Sequence, residues 1–315
     1  MAMCPTTQTF LDQLAAGACP PLYALTPDGA RKTLTAMQAV PTALAPAVIE
    51  DHTLPIGPTG TTRVRIVRPE GRTGPLPVVL YFHGVGWMLG DVGTHDRLVR
   101  EIADGTGAAV VFIDYDRTPE SRYPVAIEQC YATLLHVTEH PDALGLDASR
   151  IAIAGDGAGG NLVAAIALLA KERNGPPLRC QVLMYPVTDA NFETRSYNEY
   201  ADGYWLTKST MKWFWNAYLP AESRRKDRLA APLQATLDQL ADLPPALIVT
   251  AENDVVRDEG EAYAARLVQA GVAVSAVRVL GTIHDFAMLN ALAESPGARS
   301  AIALTTATLR RALAH

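Results

Sequence analysis

A glycine-rich segment near the middle of the chain limits most strongly what this sequence can fold into. Residues 151–154 (Ile-Ala-Ile-Ala) are continuously apolar, as expected of a strand covered on both faces. Residues 155–160 read Gly-Asp-Gly-Ala-Gly-Gly, and an Ala- and Leu-rich stretch follows from Asn161 until Asn174-Gly-Pro ends it. The segment therefore predicts a buried strand that turns into a helix through a sharp bend of small residues.

Two motifs with different chemistry fit this bend. Gly155, Gly157 and Gly160 satisfy G-x-G-x-x-G, the dinucleotide-binding pattern, which the local string favours when it is considered alone. The bend also has the frame of the nucleophile elbow G-x-S-x-G, which needs small residues because it is so tight. In that frame Gly157 occupies the position of the serine. Features elsewhere in the chain are therefore needed to choose between the dinucleotide-binding motif and the nucleophile elbow.

Composition excludes several classes of function. The 315 residues can bury a large core, and 49% hydrophobic with 19% charged residues is typical of a globular protein. The net charge is −6 and no basic run occurs, so nucleic acid is not expected as a partner. No stretch is long and apolar enough for a membrane span and the N-terminus lacks a signal-peptide pattern, so we expect no membrane partner and a cytoplasmic location.

The cysteines give no sign of a metal site or a disulfide framework. No two of them have C-x-x-C spacing. The four cysteines are Cys4, Cys19, Cys130 and Cys180. We therefore expect free thiols and no bound metal.

Short apolar runs alternate with helix-like segments, which predicts a mainly parallel sheet with helices on both faces. Strands are predicted over residues 64–67, 78–82, 108–114, 151–154, 182–185, 246–250 and 272–280. Helices are predicted within residues 1–45 and over 95–103, 125–136, 161–173 and 296–314. Between Tyr185 and Pro244 no core strand is evident, and three of the four tryptophans occur there. This interval predicts a helical insertion over the carboxyl edge of the sheet, where ligands bind in open α/β sheets.

Asp254 and His284 each follow a predicted strand. In α/β-hydrolases the nucleophile, the acid and the histidine occur in that order along the chain, and the order of Gly157, Asp254 and His284 fits. Asp254 alone could begin the next helix, and His284 alone could be an ordinary surface or core histidine. Their order and their placement after successive strands favour a catalytic pair.

The segment His83-Gly-Val-Gly-Trp follows the apolar strand 78–82. Lipases and esterases place an H-G-G-G motif at this point, and its backbone N–H groups face the developing oxyanion. An ordinary glycine-rich turn would have the same composition. A dinucleotide-binding enzyme, however, has no need for this segment.

Together these motifs resemble the hormone-sensitive-lipase family of α/β-hydrolases, in its bacterial carboxylesterase branch. The matches extend from about residue 64 to the C-terminus and comprise residues 83–87, 114–115, 119–120, 155–162, 185–186, 203–207, 254, 257–260 and 283–286. The resemblance implies an α/β-hydrolase fold, with a mostly parallel central sheet, flanking helices and a helical cap. The cap would comprise residues 1–50 and 187–225, and the core would comprise residues 51–186 and 226–315.

The resemblance also implies the role of each candidate residue. His284 would be the base and Asp254 would orient it. The oxyanion N–H groups would belong to Val85, Gly86 and Ala158, and the loop would be supported by His83 and Gly84. The expected substrate is a small-molecule ester with a small to medium acyl group. No cofactor and no metal are implied, and a homodimer is one option.

Two positions depart from the family pattern. Gly157 replaces the serine, and losing a triad nucleophile typically lowers the rate by orders of magnitude. Val85 replaces the middle glycine of the oxyanion loop, where a β-branched side chain disfavours positive φ and occupies space near the acyl group.

The favoured function is therefore a carboxylic ester hydrolase that is inactive or nearly so in this form. Because Asp254 and His284 remain, we favour a deliberate Ser-to-Gly substitution over a natural non-catalytic small-molecule-binding protein. Activation of water by His284 in the vacated space is a further option. An NAD(P)-binding oxidoreductase is a remote alternative, because Asp189 lies too far beyond the next strand to bind a ribose.

Overall fold

Eight strands form one mixed sheet in the computed structural model, which describes residues 3–17 and 20–314. The strands are β1 (Ala47–Leu54), β2 (Thr62–Pro69), β3 (Leu76–Phe82), β4 (Ala109–Asp114), β5 (Leu146–Asp156), β6 (Gln181–Met184), β7 (Ala246–Asn253) and β8 (Val274–Ile283). Their order across the sheet is β1-β2-β4-β3-β5-β6-β7-β8. The β1–β2 and β2–β4 pairs are antiparallel, whereas all other neighbours are parallel.

The α-helices of the described residues are α1 (Pro5–Ala16), α2 (Pro27–Gln38), α3 (Asp96–Thr106), α4 (Val125–Glu139), α5 (Ala158–Glu172), α6 (Arg195–Glu199), α7 (Lys208–Tyr218), α8 (Leu237–Leu240), α9 (Arg257–Gln269) and α10 (Pro296–Leu313). Short 3-10 turns include Leu22–Ala24 and Asn290–Leu292. This architecture confirms the predicted α/β-hydrolase fold. None of the described helices has the length and apolar character needed to cross a lipid bilayer.

The central strands are apolar because both faces of the sheet are covered. Every residue of β6 and of β7 is buried, and β5 is buried from Ile151 onward. Helix α5 is buried from Ala158 to Ala170 and is rich in Ala and Leu, which allows close packing on the sheet. Most of the predicted apolar runs thus correspond to strands in the middle of the sheet, whereas the predicted strand 272–280 corresponds to β8 at its edge.

The first strand was not predicted. Residues 1–45 were expected to be helical, and α1 and α2 lie there, but β1 begins at Ala47 inside the segment assigned to the cap. Strand β1 lies at the edge of the sheet and most of it is at least partly exposed. Its sequence therefore includes four consecutive polar residues, Glu50 to Thr53, instead of one apolar run. The interval between Tyr185 and Pro244 is helical as predicted, with α6, α7 and α8 and no sheet strand among its residues.

Two long polar side chains attach α2 to the core. Arg31 binds the Met88 carbonyl at 2.9 Å and the Glu120 carboxylate at 2.7 and 2.8 Å. Gln38 is buried and donates to the carbonyl of Thr94 at 2.6 Å. Helix α2 is therefore held against the loops that follow β3 and β4.

Three of the cysteines lie in the described residues, and all of them are free thiols: Cys4, Cys130 and Cys180. Cys19 lies outside the described residues.

Candidate active site

Gly157 lies at the turn between β5 and α5, in the centre of the sheet. Its backbone has φ 51° and ψ −115°, a conformation that glycine adopts far more easily than other residues. Its N–H donates to the carbonyl of Met184 at 2.9 Å, and its carbonyl accepts from the N–H of Val187 at 3.1 Å. These two bonds hold the bend against the segment that follows β6.

Small residues around this bend are required by packing. A Cβ atom at Gly155 would lie 2.6 Å from the Gly159 carbonyl, and one at Gly159 would clash with the Phe82 carbonyl. A Cβ atom at Gly160 would lie 2.9 Å from the Pro186 side chain. The glycines of the motif therefore allow strand, helix and neighbouring loops to pack closely, as the elbow interpretation requires.

Asp254 and His284 form a buried pair beside this bend. Asp254 follows β7 and His284 follows β8, and the two parallel strands are neighbours in the sheet. His284 Nδ1 lies 2.7 Å from Asp254 Oδ2, while Asp254 Oδ1 accepts from the N–H of Val256 at 3.1 Å. The second bond shows that Asp254 also supports the start of α9, so both roles considered for it are present in the structure.

The other imidazole nitrogen faces Gly157. A Cβ atom added at Gly157 would lie 3.2 Å from His284 Nε2, so a hydroxyl on that carbon could reach the imidazole. The structure thus brings together the three positions that the sequence assigned to a triad. What it lacks is the side chain that would be the nucleophile.

Burial lowers the pKa of His284, but the adjacent negative charges of Asp254 and Asp285 outweigh it. The resulting pKa is about 9. A histidine placed between two carboxylates is therefore held in its charged form at neutral pH.

The loop after β3 approaches the bend because Phe82 is paired with Gly155 where the two parallel strands end. Three successive residues of this loop have positive φ, namely Val85 at 62°, Gly86 at 67° and Trp87 at 57°. Within the described residues the N–H groups of Val85, Gly86 and Ala158 donate no hydrogen bond. Free N–H groups beside a small cavity are suited to bind a negatively charged oxygen.

His83 lies beneath this loop and does not face the cavity. Its ring is buried and stacks on Tyr115, with centroids 4.1 Å apart and planes at 2°. Burial holds the pKa of His83 well below its usual value, so the ring is neutral. The carbonyl of His83 accepts from the Tyr115 hydroxyl at 2.9 Å. His83 is therefore in a position to support the loop, as the family resemblance implied.

Asp285 is a second carboxylate at the site, and no role was predicted for it from the sequence. Its Oδ2 accepts from the indole N–H of Trp205 at 2.8 Å, and its Oδ1 lies 3.5 Å from His284 Nε2. The side chain is 2% exposed and its backbone φ is 60°. A charged residue directly after the candidate base was the available signal, but only the fold shows that it points back toward Gly157.

Two neighbouring cavities lie at this site. The inner one is narrow, with a volume of about 10 Å³, and is lined by Val85, Gly86, Ala158, His284 and Asp285, with aromatic side chains from the α7 region. The outer one is an open cleft of about 350 Å³ between α1, α2 and the start of α7. Leu22, Trp205 and Thr210 line both cavities, so the two are neighbours. An apolar group of a ligand could extend from the inner cavity into the outer one.

Nothing in the described part of the chain resembles a metal centre. No three His, Cys, Asp or Glu side chains of residues 3–17 and 20–314 are close enough to hold a metal ion. The chemistry available at this site is therefore that of the histidine, the two carboxylates and the backbone N–H groups.

Known proteins share this fold and much of this sequence. A family model described as alpha/beta hydrolase fold matches residues 79–288. The carboxylesterase NlhH of Mycobacterium tuberculosis is 39% identical over 287 residues, which cover 90% of this chain and 89% of that protein. An ethyl acetate hydrolase of Pseudomonas putida is 34% identical over 303 residues, covering 93% of this chain and 95% of the relative.

A solved esterase structure has closely the same fold as this chain. A thermostable esterase from Pseudomonas putida superimposes with a TM-score of 0.97 at 45% identity, covering 99% of this chain and 98% of that one.

Proposed function

Since the chain belongs to the α/β-hydrolase family and is an esterase-type hydrolase by its relatives, we propose that Gly157 occupies the place of its nucleophilic serine. In this form the protein would hydrolyse carboxylic esters slowly or not at all. The observation that carries the proposal is the position of His284, which binds Asp254 at 2.7 Å and lies 3.2 Å from the Cβ position of Gly157. The arrangement of a triad is retained without its nucleophile.

The mechanism of the serine form follows from these positions. A hydroxyl at residue 157 would attack the ester carbonyl while His284 Nε2 accepts its proton and Asp254 steadies the imidazolium. The N–H groups of Gly86 and Ala158 would donate to the oxyanion, and that of Val85 is placed to help. His284 would then protonate the leaving alcohol, and water would release the acid from the acyl-enzyme.

We assign the chain to the bacterial carboxylesterase branch of the hormone-sensitive-lipase family, with small to medium acyl esters as substrates. The small inner cavity supports a short acyl group, and the outer cavity has room for the rest of an apolar ester. The segments 1–46 and 187–225 are proposed as the cap, since α1, α2 and α7 border these cavities, whereas residues 47–50 belong to the sheet. The homodimer and the cytoplasmic location stay predictions.

The dinucleotide-binding alternative is set aside because the family is one of hydrolases. A non-catalytic binding protein is supported only by the absent hydroxyl, whereas the intact pair of Asp254 and His284 favours an esterase that lost its nucleophile by a Ser-to-Gly substitution.

The decisive experiment compares the parent chain with Gly157→Ser and Gly157→Ala on p-nitrophenyl acetate, butyrate and octanoate. Gly157→Ala is the matched control because it adds the same Cβ atom without the hydroxyl. We expect kcat/KM of the serine variant to exceed the other two by about 10³-fold or more. Uncatalysed rates for all three proteins would argue against an esterase and for a binding protein.

A further inference from the structure

A carboxylate oxygen and an imidazole nitrogen face the space beside Gly157, and the nitrogen is an acceptor when His284 is neutral. Asp285 Oδ1 is buried and has no hydrogen-bond partner among the described residues. His284 Nε2 lies 3.5 Å from it, and the opposite ring nitrogen is bound to Asp254. A Cβ atom at Gly157 would be 3.2 Å from Nε2 and 3.9 Å from Oδ1. Both atoms therefore border the volume that a serine side chain would fill.

We propose that Asp285 is a further catalytic residue of this chain, because it holds, together with His284, a water molecule that attacks the ester in place of the missing serine. Hydrolysis would then proceed in one displacement without an acyl-enzyme. This inference rests on the proposed function, since it concerns the same site and the same ester substrates.

The space and its polarity both suit a water molecule. Deleting a CH₂OH group leaves room close to the ~30 Å³ that one water occupies in the liquid. A buried water needs two to four polar partners, and in the neutral form of His284, which is the form that acts as a base, the two atoms 3.5 Å apart can accept one O–H each from the same molecule. Its lone pairs then face away from both acceptors, toward the cavity where the ester would bind.

The unpartnered oxygen of Asp285 is the second argument. Oδ2 already holds Trp205, so a purely structural role is complete without Oδ1. Leaving a carboxylate oxygen buried without any donor costs free energy, on the order of 1–3 kcal/mol or more. A water that donates to Oδ1 removes this cost, and the same water lies next to His284.

The reaction balances with the ester and water alone. The water oxygen bonds to the carbonyl carbon while one of its protons passes to His284 Nε2 and the other stays directed at Asp285 Oδ1. The oxyanion is bound by the N–H groups of Gly86 and Ala158. When it collapses, the bond to the alcohol oxygen breaks and His284 returns its proton to the leaving alcohol. The products are one acid and one alcohol, and the protein is unchanged.

The test places Asp285→Asn in two backgrounds, the parent chain and Gly157→Ser. Asn tolerates the positive φ of this position and can still accept from Trp205, but its neutral amide replaces the carboxylate beside His284. The measured quantity is kcat/KM for p-nitrophenyl butyrate at the plateau of each pH profile. We expect the loss in the parent to exceed the loss in the serine background by about 10-fold or more, because only the parent needs a bound water for the first attack.

Two further measurements distinguish the expected result from a folding defect and test for a nucleophilic side chain. Asp285→Gly suits the backbone φ of 60° and also removes the carboxylate, so its losses in the two backgrounds should differ in the same direction. Intact mass after exposure to diethyl p-nitrophenyl phosphate should show an adduct on Gly157→Ser and none on the parent, although the parent hydrolyses the ester above the buffer rate.

Equal losses in both backgrounds, or a parent that is no faster than buffer while Gly157→Ser is active, would overturn the inference. An inactive Gly157→Ser protein would count against the proposed function instead. The two ideas can therefore fail separately.

Discussion

The backbone N–H of Gly84 donates a hydrogen bond of 3.1 Å to Asp156 Oδ1, which joins the oxyanion loop to the residue before Gly157. The same carboxylate accepts from the Tyr81 hydroxyl at 2.7 Å and lies 3.4 Å from His95 Nε2. Asp156 is fully buried and does not line the cavity. It is therefore a positioning residue that holds the oxyanion loop at a set distance from the elbow.

Asp156→Asn should impair catalysis without blocking the site. In the Gly157→Ser background we expect kcat to fall by roughly 10- to 100-fold and KM to change much less, because a small displacement of the oxyanion N–H groups weakens transition-state binding. Steady-state kinetics measure both constants. Asp104→Asn is the matched control at an exposed position, where no change is expected. A loss confined to KM would contradict the positioning role.

Restoring a side chain at residue 157 should lower stability. The backbone there has φ 51° and ψ −115°, which glycine adopts without a Cβ penalty. We expect Gly157→Ser and Gly157→Ala to reduce the free energy of unfolding by about 1–3 kcal/mol each. Urea denaturation followed by circular dichroism would measure this. If the serine variant were as stable as the parent, the elbow would be unstrained and the expectation wrong.

The activity of Gly157→Ser should rise with pH. His284 must be neutral to accept a proton, and its pKa is about 9 because Asp254 and Asp285 flank it. The more distant negative charge of Asp156 also raises the pKa of His284. The ring of Tyr185 packs on the imidazole, with the two ring centroids 5.0 Å apart. We expect kcat/KM to increase through neutral pH and to level off above about 9.

Asp285→Asn should move this midpoint to lower pH, because one of the two adjacent negative charges is removed. A pH–rate profile of the double variant would show the shift. An unchanged midpoint would mean that Asp285 does not influence His284.

Val85 should restrict the acyl group. It is a β-branched residue at φ 62°, and it lines the inner cavity beside Gly86. In the Gly157→Ser background we expect Val85→Gly to raise kcat/KM for p-nitrophenyl octanoate by several-fold more than for the acetate, because the side chain no longer occupies the acyl space. Val85→Ala separates the effect of volume from that of backbone freedom. Equal effects on both esters would contradict a role in chain-length selection.

Local sequence patterns were sufficient to predict much of the fold and part of the candidate site. The apolar runs predicted the central strands because a strand covered on both faces has to be apolar along its whole length. The glycines of residues 155–160 predicted the tight bend, because the elbow excludes larger side chains by contact with Phe82 and Pro186. Asp254 and His284 were identified because a triad keeps its order along the chain.

The remaining features depend on contacts between residues far apart in sequence. Edge strand β1 was missed because its side chains are mostly at least partly exposed, so it lacks the apolar run. The sequence also showed that residue 157 has no hydroxyl and that Asp285 follows His284. Only the tertiary structure places the free oxygen of Asp285 within 3.5 Å of His284 Nε2, beside the space at Gly157. The direction of that side chain is set by the loop after β8 and by its bond to Trp205, 80 residues away in sequence.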